Sequence, residues 1–114
     1  MPQQNDFDAF WLSYLRAHAL KTTRLFHYAG TAIGLASFAV AIATDNWWYL
    51  AGGIAAGYGL AWVSHFTVEN NVPVAFGGPR AVAYSFVSDL RMFVLGMTGR
   101  LAAELERAGA VRAK

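Results

Sequence analysis

The sequence predicts an all-α protein: a small integral membrane helical bundle whose central transmembrane helical hairpin is flanked by an N-terminal and a C-terminal amphipathic helix. Composition is the first observation behind this prediction, since 56% of the 114 residues are apolar and only 14% are charged, whereas about 25% charge is usual in soluble proteins. Two long apolar runs in the middle of the chain are the second. A chain of this length has room for a single domain.

The first predicted helix covers residues 6–18. Asn5 and Asp6 offer side-chain oxygens that can cap its N-terminus, and apolar residues then recur at helical spacing. Five side chains share this apolar face: Phe7, Phe10, Trp11, Tyr14 and Leu15. Such an aromatic face suits the headgroup boundary of a membrane. The alternative is a helix that packs on a protein core.

Two further helices are predicted over residues 24–44 and 46–70. In residues 25–44 the only strongly polar side chain is His27, and residues 47–63 carry no charge. Each run therefore approaches the roughly 20 residues that cross a hydrocarbon core.

A tight turn is predicted between these two helices. Asp45 and Asn46 provide turn chemistry, and Trp47 and Trp48 provide an interfacial anchor. Glycines at four-residue spacing on both arms let helix backbones approach closely in lipid. They are Gly30, Gly34, Gly53 and Gly57.

The fourth predicted helix covers residues 79–108. Asn70, Asn71 and Pro73 end the helix before it, because proline disfavours the helical conformation in the preceding residue. Charged side chains make the fourth helix a poor membrane span, so it is expected to lie in the interface or to pack on the hairpin. The charges concerned are Asp89, Arg91 and Arg100.

The distribution of basic residues predicts the orientation. Arginines and lysines flank the hairpin on both sides, while its turn carries only Asp45. By the positive-inside rule both termini face the cytoplasm, in a bacterial inner membrane or, in a eukaryote, the endoplasmic reticulum. The first residues lack the basic start and apolar core of a signal peptide, so we expect the N-terminus to be retained.

Composition also excludes several classes of function. Without cysteine the chain has neither a disulfide nor a thiolate metal site. Its net charge of +2 is too small and too evenly spread for a nucleic-acid surface. Neither a GxGxxG phosphate loop nor a GxSxG nucleophile turn occurs. Any metal must therefore be held by nitrogen and oxygen donors.

The three histidines are predicted to meet. Counted from the turn near residue 46, His27 lies 19 residues back and His65 lies 19 residues forward, so both sit roughly 28 Å from the turn. His18 lies at the junction of the first two helices, where a short connection can bring it beside the other two. Three imidazoles plus a carboxylate, without sulfur, suit iron(II) or zinc. The alternatives left open are structural histidines and a haem held by two of them.

Five other side chains are predicted near the histidines. Glu69 comes four residues after the last histidine and shares its helix face, and Tyr58 lies on the same stripe. Asp89 is expected either to hydrogen-bond a ligating imidazole or to pair with Arg24 or Arg91.

Several segments together resemble a known family. They are WLSYLRAH (11–18), TRLFHYAG (23–30), NWW (46–48), GYGLAWVSHFTVENNVPVAF (57–76), Pro79 and SDLRMF (88–93). As an ordered set they are similar to the small membrane proteins associated with the fungal 2-hydroxy fatty acid dioxygenase of fatty-acid alpha-oxidation. The chain departs from the family at Thr23, where Asn is usual, and at Ser64, where Gly is usual. Neither departure removes a histidine.

The resemblance implies an Fe(II)-dependent enzyme whose metal ligands are His18, His27 and His65. It further implies that dioxygen oxidatively decarboxylates a 2-hydroxy fatty acid to the acid one carbon shorter, without a flavin or nicotinamide. Glu69 matches an acidic position of the family, and either Glu69 or a bound hydroxide is the candidate general base for the substrate hydroxyl. Whether Glu69 also binds the metal is left open.

Arginines are the candidate partners of the substrate carboxylate. Arg24 or Arg91 could pair with it at the cytoplasmic boundary, while the acyl tail lies between apolar helices. The competing hypothesis is a non-enzymatic membrane scaffold whose histidines and glycines serve packing and homo-oligomer formation.

Overall fold

The computed structural model describes residues 6–110, and within this range the chain is helical and contains no strand. The predicted all-α class is therefore confirmed. Five α-helices follow one another: α1 (Asp6–Ala17), α2 (Lys21–Thr44), α3 (Trp48–Ser64), α4 (Pro79–Met97) and α5 (Leu101–Ala108). A π-helical turn (His65–Glu69) continues α3, and a 3-10 helix (Val74–Gly77) precedes α4. Asn5, one of the two predicted caps of α1, lies outside the described residues.

Helices α2 and α3 form an antiparallel hairpin. Asp45 ends α2 in the left-handed conformation, with φ of 54°, and the side-chain oxygen of Asn46 accepts a hydrogen bond from the backbone N–H of Trp48 at 3.1 Å. A Cβ atom on Gly30 would lie 2.9 Å from the carbonyl oxygen of Gly57. The close backbone approach that the glycine spacing predicts is thus confirmed at this crossing.

The hairpin presents an apolar outer surface, on which Trp48 is 82% exposed. Among residues 6–110, α2 is the one helix long and apolar enough to cross a membrane. Helix α3 has 17 residues, fewer than the roughly 20 of a typical span. The hairpin is therefore observed as a packing unit, and its transmembrane placement stays a prediction.

The C-terminal segment corrects the prediction of one helix over residues 79–108. Between α4 and α5, Gly99 has φ of 74°. The N–H of Arg100 reaches back to the carbonyl oxygen of Leu95 at 2.8 Å. This is the pattern of a helix that ends at a left-handed glycine, so the prediction was wrong because Gly99 terminates α4.

Helix α5 folds back over α1 and buries its aromatic face. Trp11 and Leu15 are fully buried, and Tyr14 is 2% exposed. The Nε1 atom of Trp11 donates to the Glu104 carboxylate at 2.7 Å. The aromatic face of α1 therefore packs on a protein core. The prediction that it lies at the headgroup boundary is corrected.

Candidate metal centre

Three histidines from three different elements form one buried cluster. His18 directly follows α1, His27 lies in α2 and His65 begins the π-helical turn. Their exposed fractions are 0, 7 and 2%, and their ligand nitrogens lie within 4.8 Å of one another. The predicted meeting of the three imidazoles is confirmed, including the equal depth of His27 and His65, whose ring centroids are 5.2 Å apart.

Each imidazole is oriented by an oxygen at its Nδ1 atom. For His18 this oxygen is the Tyr14 carbonyl, at 2.6 Å from Nδ1. For His27 it belongs to the Asp89 carboxylate, at 3.0 Å, and for His65 to the Asn71 side-chain amide, at 2.7 Å. Each of these oxygens can only accept, so each Nδ1 carries the hydrogen. In the neutral rings the Nε2 atoms then keep their lone pairs for a ligand.

Two of the Nε2 atoms lie at the separation that a shared ion requires. Nε2 of His18 is 3.1 Å from Nε2 of His27, and two nitrogens bound at about 2.1 Å to one ion have roughly this separation. Burial lowers the pKa of His18 well below its usual value, and the neighbouring His27 and His65 lower it further. The neutral, ligating form of this ring is therefore favoured, and the cluster fits a divalent metal ion.

The same distances argue against a haem between two of these rings. The ring centroid of His18 lies 4.3 Å from that of His27 and 4.5 Å from that of His65. With all three imidazoles in mutual contact, no gap remains that would admit a macrocycle between two axial ligands.

Asp89, on α4, links the cluster to α1 and α2. Its Oδ1 atom accepts from Nδ1 of His27 at 3.0 Å and from the Tyr14 hydroxyl at 3.2 Å, and its Oδ2 atom accepts from the Thr31 hydroxyl at 2.7 Å. Of the two alternatives for Asp89, the structure shows the hydrogen bond to an imidazole.

Asn71 was not predicted to contribute to the site. Its Nδ2 atom donates to the Ala17 carbonyl at 3.0 Å, which leaves the amide oxygen to face His65. The helix predicted over residues 46–70 stops being α-helical at Ser64. The following π-helical turn brings Asn71 back to His65, whose carbonyl oxygen accepts the Asn71 backbone N–H at 2.9 Å. Such turns are frequent at functional sites.

Glu69 and Arg24 both hold the junction between α1 and α2. The Glu69 carboxylate accepts from the backbone N–H of Leu20 at 2.8 Å. The Arg24 guanidinium donates to the carbonyl oxygens of His18 and Ala19, each at 2.9 Å. These contacts are made at His18 itself and at the two residues that follow it, and they hold the junction that carries this histidine.

The two remaining predicted residues lie in different surroundings. The Arg91 guanidinium lies 4.5 Å from the centroid of the Trp11 ring and 3.8 Å from the Glu104 carboxylate. Tyr58 lines a cavity next to the histidine cluster, whereas Arg24, Glu69 and Arg91 do not.

This cavity has a volume of about 440 Å³, within the range of small-molecule sites. All three histidines and Asp89 line one end of it, and Phe38 and Leu50, near the hairpin turn, line the other. Most of the side chains between the two ends are apolar. The arrangement combines a polar end, formed by potential metal ligands, with a long apolar interior.

The fold and the site define a small helical protein with a buried three-histidine cluster of the kind that holds a divalent metal. The chain belongs to the 2-hydroxy-palmitic acid dioxygenase Mpo1-like family, which matches residues 4–101. No curated protein and no solved structure matches the chain.

Proposed function

We propose that the protein is an Fe(II)-dependent dioxygenase that converts a 2-hydroxy fatty acid and dioxygen into the acid one carbon shorter, carbon dioxide and water. The observation that carries this proposal is the meeting of three buried imidazoles at one end of an apolar cavity. The family description, which names 2-hydroxy-palmitic acid and a dioxygenase, supports it.

In this proposal the chain's own residues hold and orient the metal. His18, His27 and His65 bind it through their Nε2 atoms, while the oxygens at their Nδ1 atoms keep the protons away from those ligand nitrogens. A ferrous ion bound there supplies the redox chemistry with dioxygen that the protein side chains lack.

The reaction balances without a further reductant. The bond between carbon 1 and carbon 2 of the substrate breaks, carbon 2 becomes the new carboxyl carbon, and carbon 1 leaves as carbon dioxide. All four electrons that dioxygen requires come from the substrate. The requirements on the protein are thus to bind the polar head beside the histidines and to keep water away from it.

The cavity is suited to both requirements. Its polar end is formed by the histidines together with Asp89, and Tyr58 lies on its wall. We assign Tyr58 to the head-group region, where its hydroxyl is available to a substrate oxygen. The apolar remainder of the cavity excludes water and takes the acyl tail.

In this proposal Glu69 is the base for the substrate hydroxyl, which requires its carboxylate to leave the backbone N–H of Leu20 and to enter the cavity that it does not line in this structure. Glu69→Gln keeps an acceptor for that N–H and removes the basic carboxylate. Turnover should fall while bound iron is unchanged; full turnover in this variant would remove Glu69 from the mechanism. Pairing of Arg24 or Arg91 with the substrate carboxylate stays a prediction and requires either side chain to leave its present partners.

The proposed location is a membrane, with the hairpin in the bilayer and both termini in the cytoplasm. This placement is supported by the apolar outer surface of the hairpin and by the basic residues on both sides of the hairpin. The fatty acid substrate proposed above also favours it. The substrate would then reach the cavity from the lipid phase.

The test is to purify the protein anaerobically in detergent, load it with Fe(II), and measure bound iron and oxygen uptake with 2-hydroxypalmitate. One iron per chain, with a product one carbon shorter, is expected. His65→Ala should lose both iron and uptake, whereas Phe66→Ala, at the exposed neighbouring position, should lose neither. A wild-type protein that binds no metal would refute the proposal and leave the scaffold hypothesis.

A further inference from the structure

We propose that the cavity holds one unbranched acyl chain lengthwise along the seam between α2 and α3, and that Gly34 determines how long a chain fits. This inference rests on the proposed function, which supplies the acyl substrate. It adds the direction of the chain in the site and the residue that limits its length.

The shape of the cavity supports a lengthwise chain. It begins at His27 and reaches Phe38 on the same helix, a distance of about 16 Å at 1.5 Å per residue. On the other arm it reaches Leu50, close to the hairpin turn. A chain whose carboxylate lies at the histidines therefore points its methyl end toward the turn.

Glycines form the floor of this channel. Gly30, Gly34, Gly53 and Gly57 all line the cavity, and α2 and α3 are in backbone contact where Gly30 meets Gly57. Because glycine has no side chain, the line of contact between α2 and α3 is not covered at these four positions. A narrow channel is left there between the side chains of the neighbouring residues. A narrow apolar channel with one polar end matches a single extended chain better than a compact or branched ligand.

Gly34 differs from the glycines at the backbone contact. A Cβ atom on Gly34 would meet nothing within 4 Å, whereas a Cβ atom on Gly30 would meet the Gly57 carbonyl oxygen at 2.9 Å. A larger side chain at position 34 thus enters the channel without colliding with the opposite helix. It would do so seven residues beyond His27, about 10 Å from the metal-binding end.

Gly59 on α3 provides a matched control. A Cβ atom there also meets nothing within 4 Å, but Gly59 does not line the cavity. Gly34→Leu and Gly59→Leu therefore add the same side chain to the same hairpin, once inside the channel and once outside it.

The first experiment measures kcat/KM of the iron-loaded protein with 2-hydroxyoctanoate, 2-hydroxydodecanoate and 2-hydroxypalmitate. For Gly34→Leu, kcat/KM with 2-hydroxypalmitate should fall by at least about tenfold, the usual cost of misfitting a methylene-sized group, while the value with 2-hydroxyoctanoate is retained. Gly59→Leu should keep the wild-type preference. If the wild-type protein turns over substrate and Gly34→Leu keeps the same chain-length preference, the inference is overturned and the proposed function still stands.

The second experiment needs no turnover and no metal. A fatty acid with a diazirine at its methyl end is photolysed with the metal-free protein, and the labelled residues are located by mass spectrometry. Labelling at Phe38, Leu50 or Ile54 is expected in the wild type and in Gly59→Leu, with loss of these labels in Gly34→Leu. Methyl-end labels on α1 or on the segment Pro73–Ala75 would overturn the inference, even if the enzyme assay fails for lack of activity.

Discussion

Nε2 of His18 lies 3.1 Å from Nε2 of His27, and both Nδ1 hydrogens of these rings are committed to other acceptors. When both rings are neutral, two lone pairs therefore face each other in a buried place. A cation between them turns this repulsion into attraction, so metal binding and stability of the folded protein are expected to be linked.

Metal should accordingly stabilise the protein against unfolding. At a free concentration of Fe(II) or Zn(II) one hundred times the Kd, the free energy of unfolding should rise by about 2.7 kcal/mol. Thermal unfolding in detergent, followed by circular dichroism with and without chelator, measures this change. His27→Gln should unfold at the same temperature with and without metal; a full metal-dependent shift in this variant would contradict the assignment of His27 as a ligand.

Asp89→Asn should weaken metal binding by roughly 10- to 100-fold. An amide can present its NH2 group to Nδ1 of His27, so that the ring proton is no longer held on that nitrogen. Tyr14→Phe is the control, since it removes one hydrogen bond to Asp89 and leaves the carboxylate in place. Titration with Co(II), followed by its visible absorption, gives both affinities. Equal affinities of the Asn variant and the wild type would disprove the orienting role.

Two substitutions of Asn71 should separate its two contacts. Asn71→Asp keeps an acceptor for His65 but loses the donor to the Ala17 carbonyl, so metal affinity should be largely retained while stability falls by about 1 kcal/mol. Asn71→Ala loses both contacts, and metal affinity should fall as well. The idea fails if both variants bind metal equally well in the same titration.

Alanine at two glycines of α2 should have opposite effects on stability. Gly30→Ala places a methyl group 2.9 Å from the Gly57 carbonyl oxygen and should destabilise the hairpin by about 1 to 3 kcal/mol. Gly34→Ala meets no atom within 4 Å and should be stabilising by roughly 0.5 to 1 kcal/mol, because alanine loses less conformational entropy in a helix. Denaturant unfolding in detergent compares the two; similar stabilities would show that the Gly30 crossing is not tight in solution.

The contact between α1 and α5 should weaken in acid. Hydrogen bonds from Arg107 and then from Trp11 lower the pKa of Glu104 below its usual value of 4.5. The ionised form is thus favoured in the folded state, so its contribution to stability is complete above the usual pKa and is lost as the pH falls through the lower, folded-state value. The stability difference between wild type and Glu104→Gln should shrink over this acid range. A difference independent of pH would show that the charge of Glu104 is not what stabilises the contact.

The sequence predicted the parts of the fold that depend on short-range patterns. Helical period, turn residues and glycine spacing are local, and they predicted the hairpin and its Gly30–Gly57 crossing. The equal depth of His27 and His65 could be predicted because both lie 19 residues from the same turn. His18 was harder to place from spacing, since its position depends on the contacts of Arg24 and Glu69 at the α1–α2 junction.

The features that the sequence did not reveal depend on tertiary contacts. The aromatic stripe of α1 has the same pattern whether it faces lipid or a core, and only the return of α5 decides between them. Asn71, two residues before Pro73, has the local pattern of a helix stop. Its second role arises from the π-helical turn, which no periodicity indicates. Gly99 is a local stop signal, because a glycine readily adopts the left-handed conformation that ends a helix.

The wide separation of the site along the chain has a consequence for biosynthesis. The imidazoles at positions 18, 27 and 65 leave the ribosome well before Asp89 does, and Asp89 holds His27 in its ligating tautomer. A nascent chain therefore exposes an incompletely oriented ligand set until α4 has been made and has docked. For the metal site proposed above, this order implies that the fully oriented ligand set exists only in the finished polypeptide.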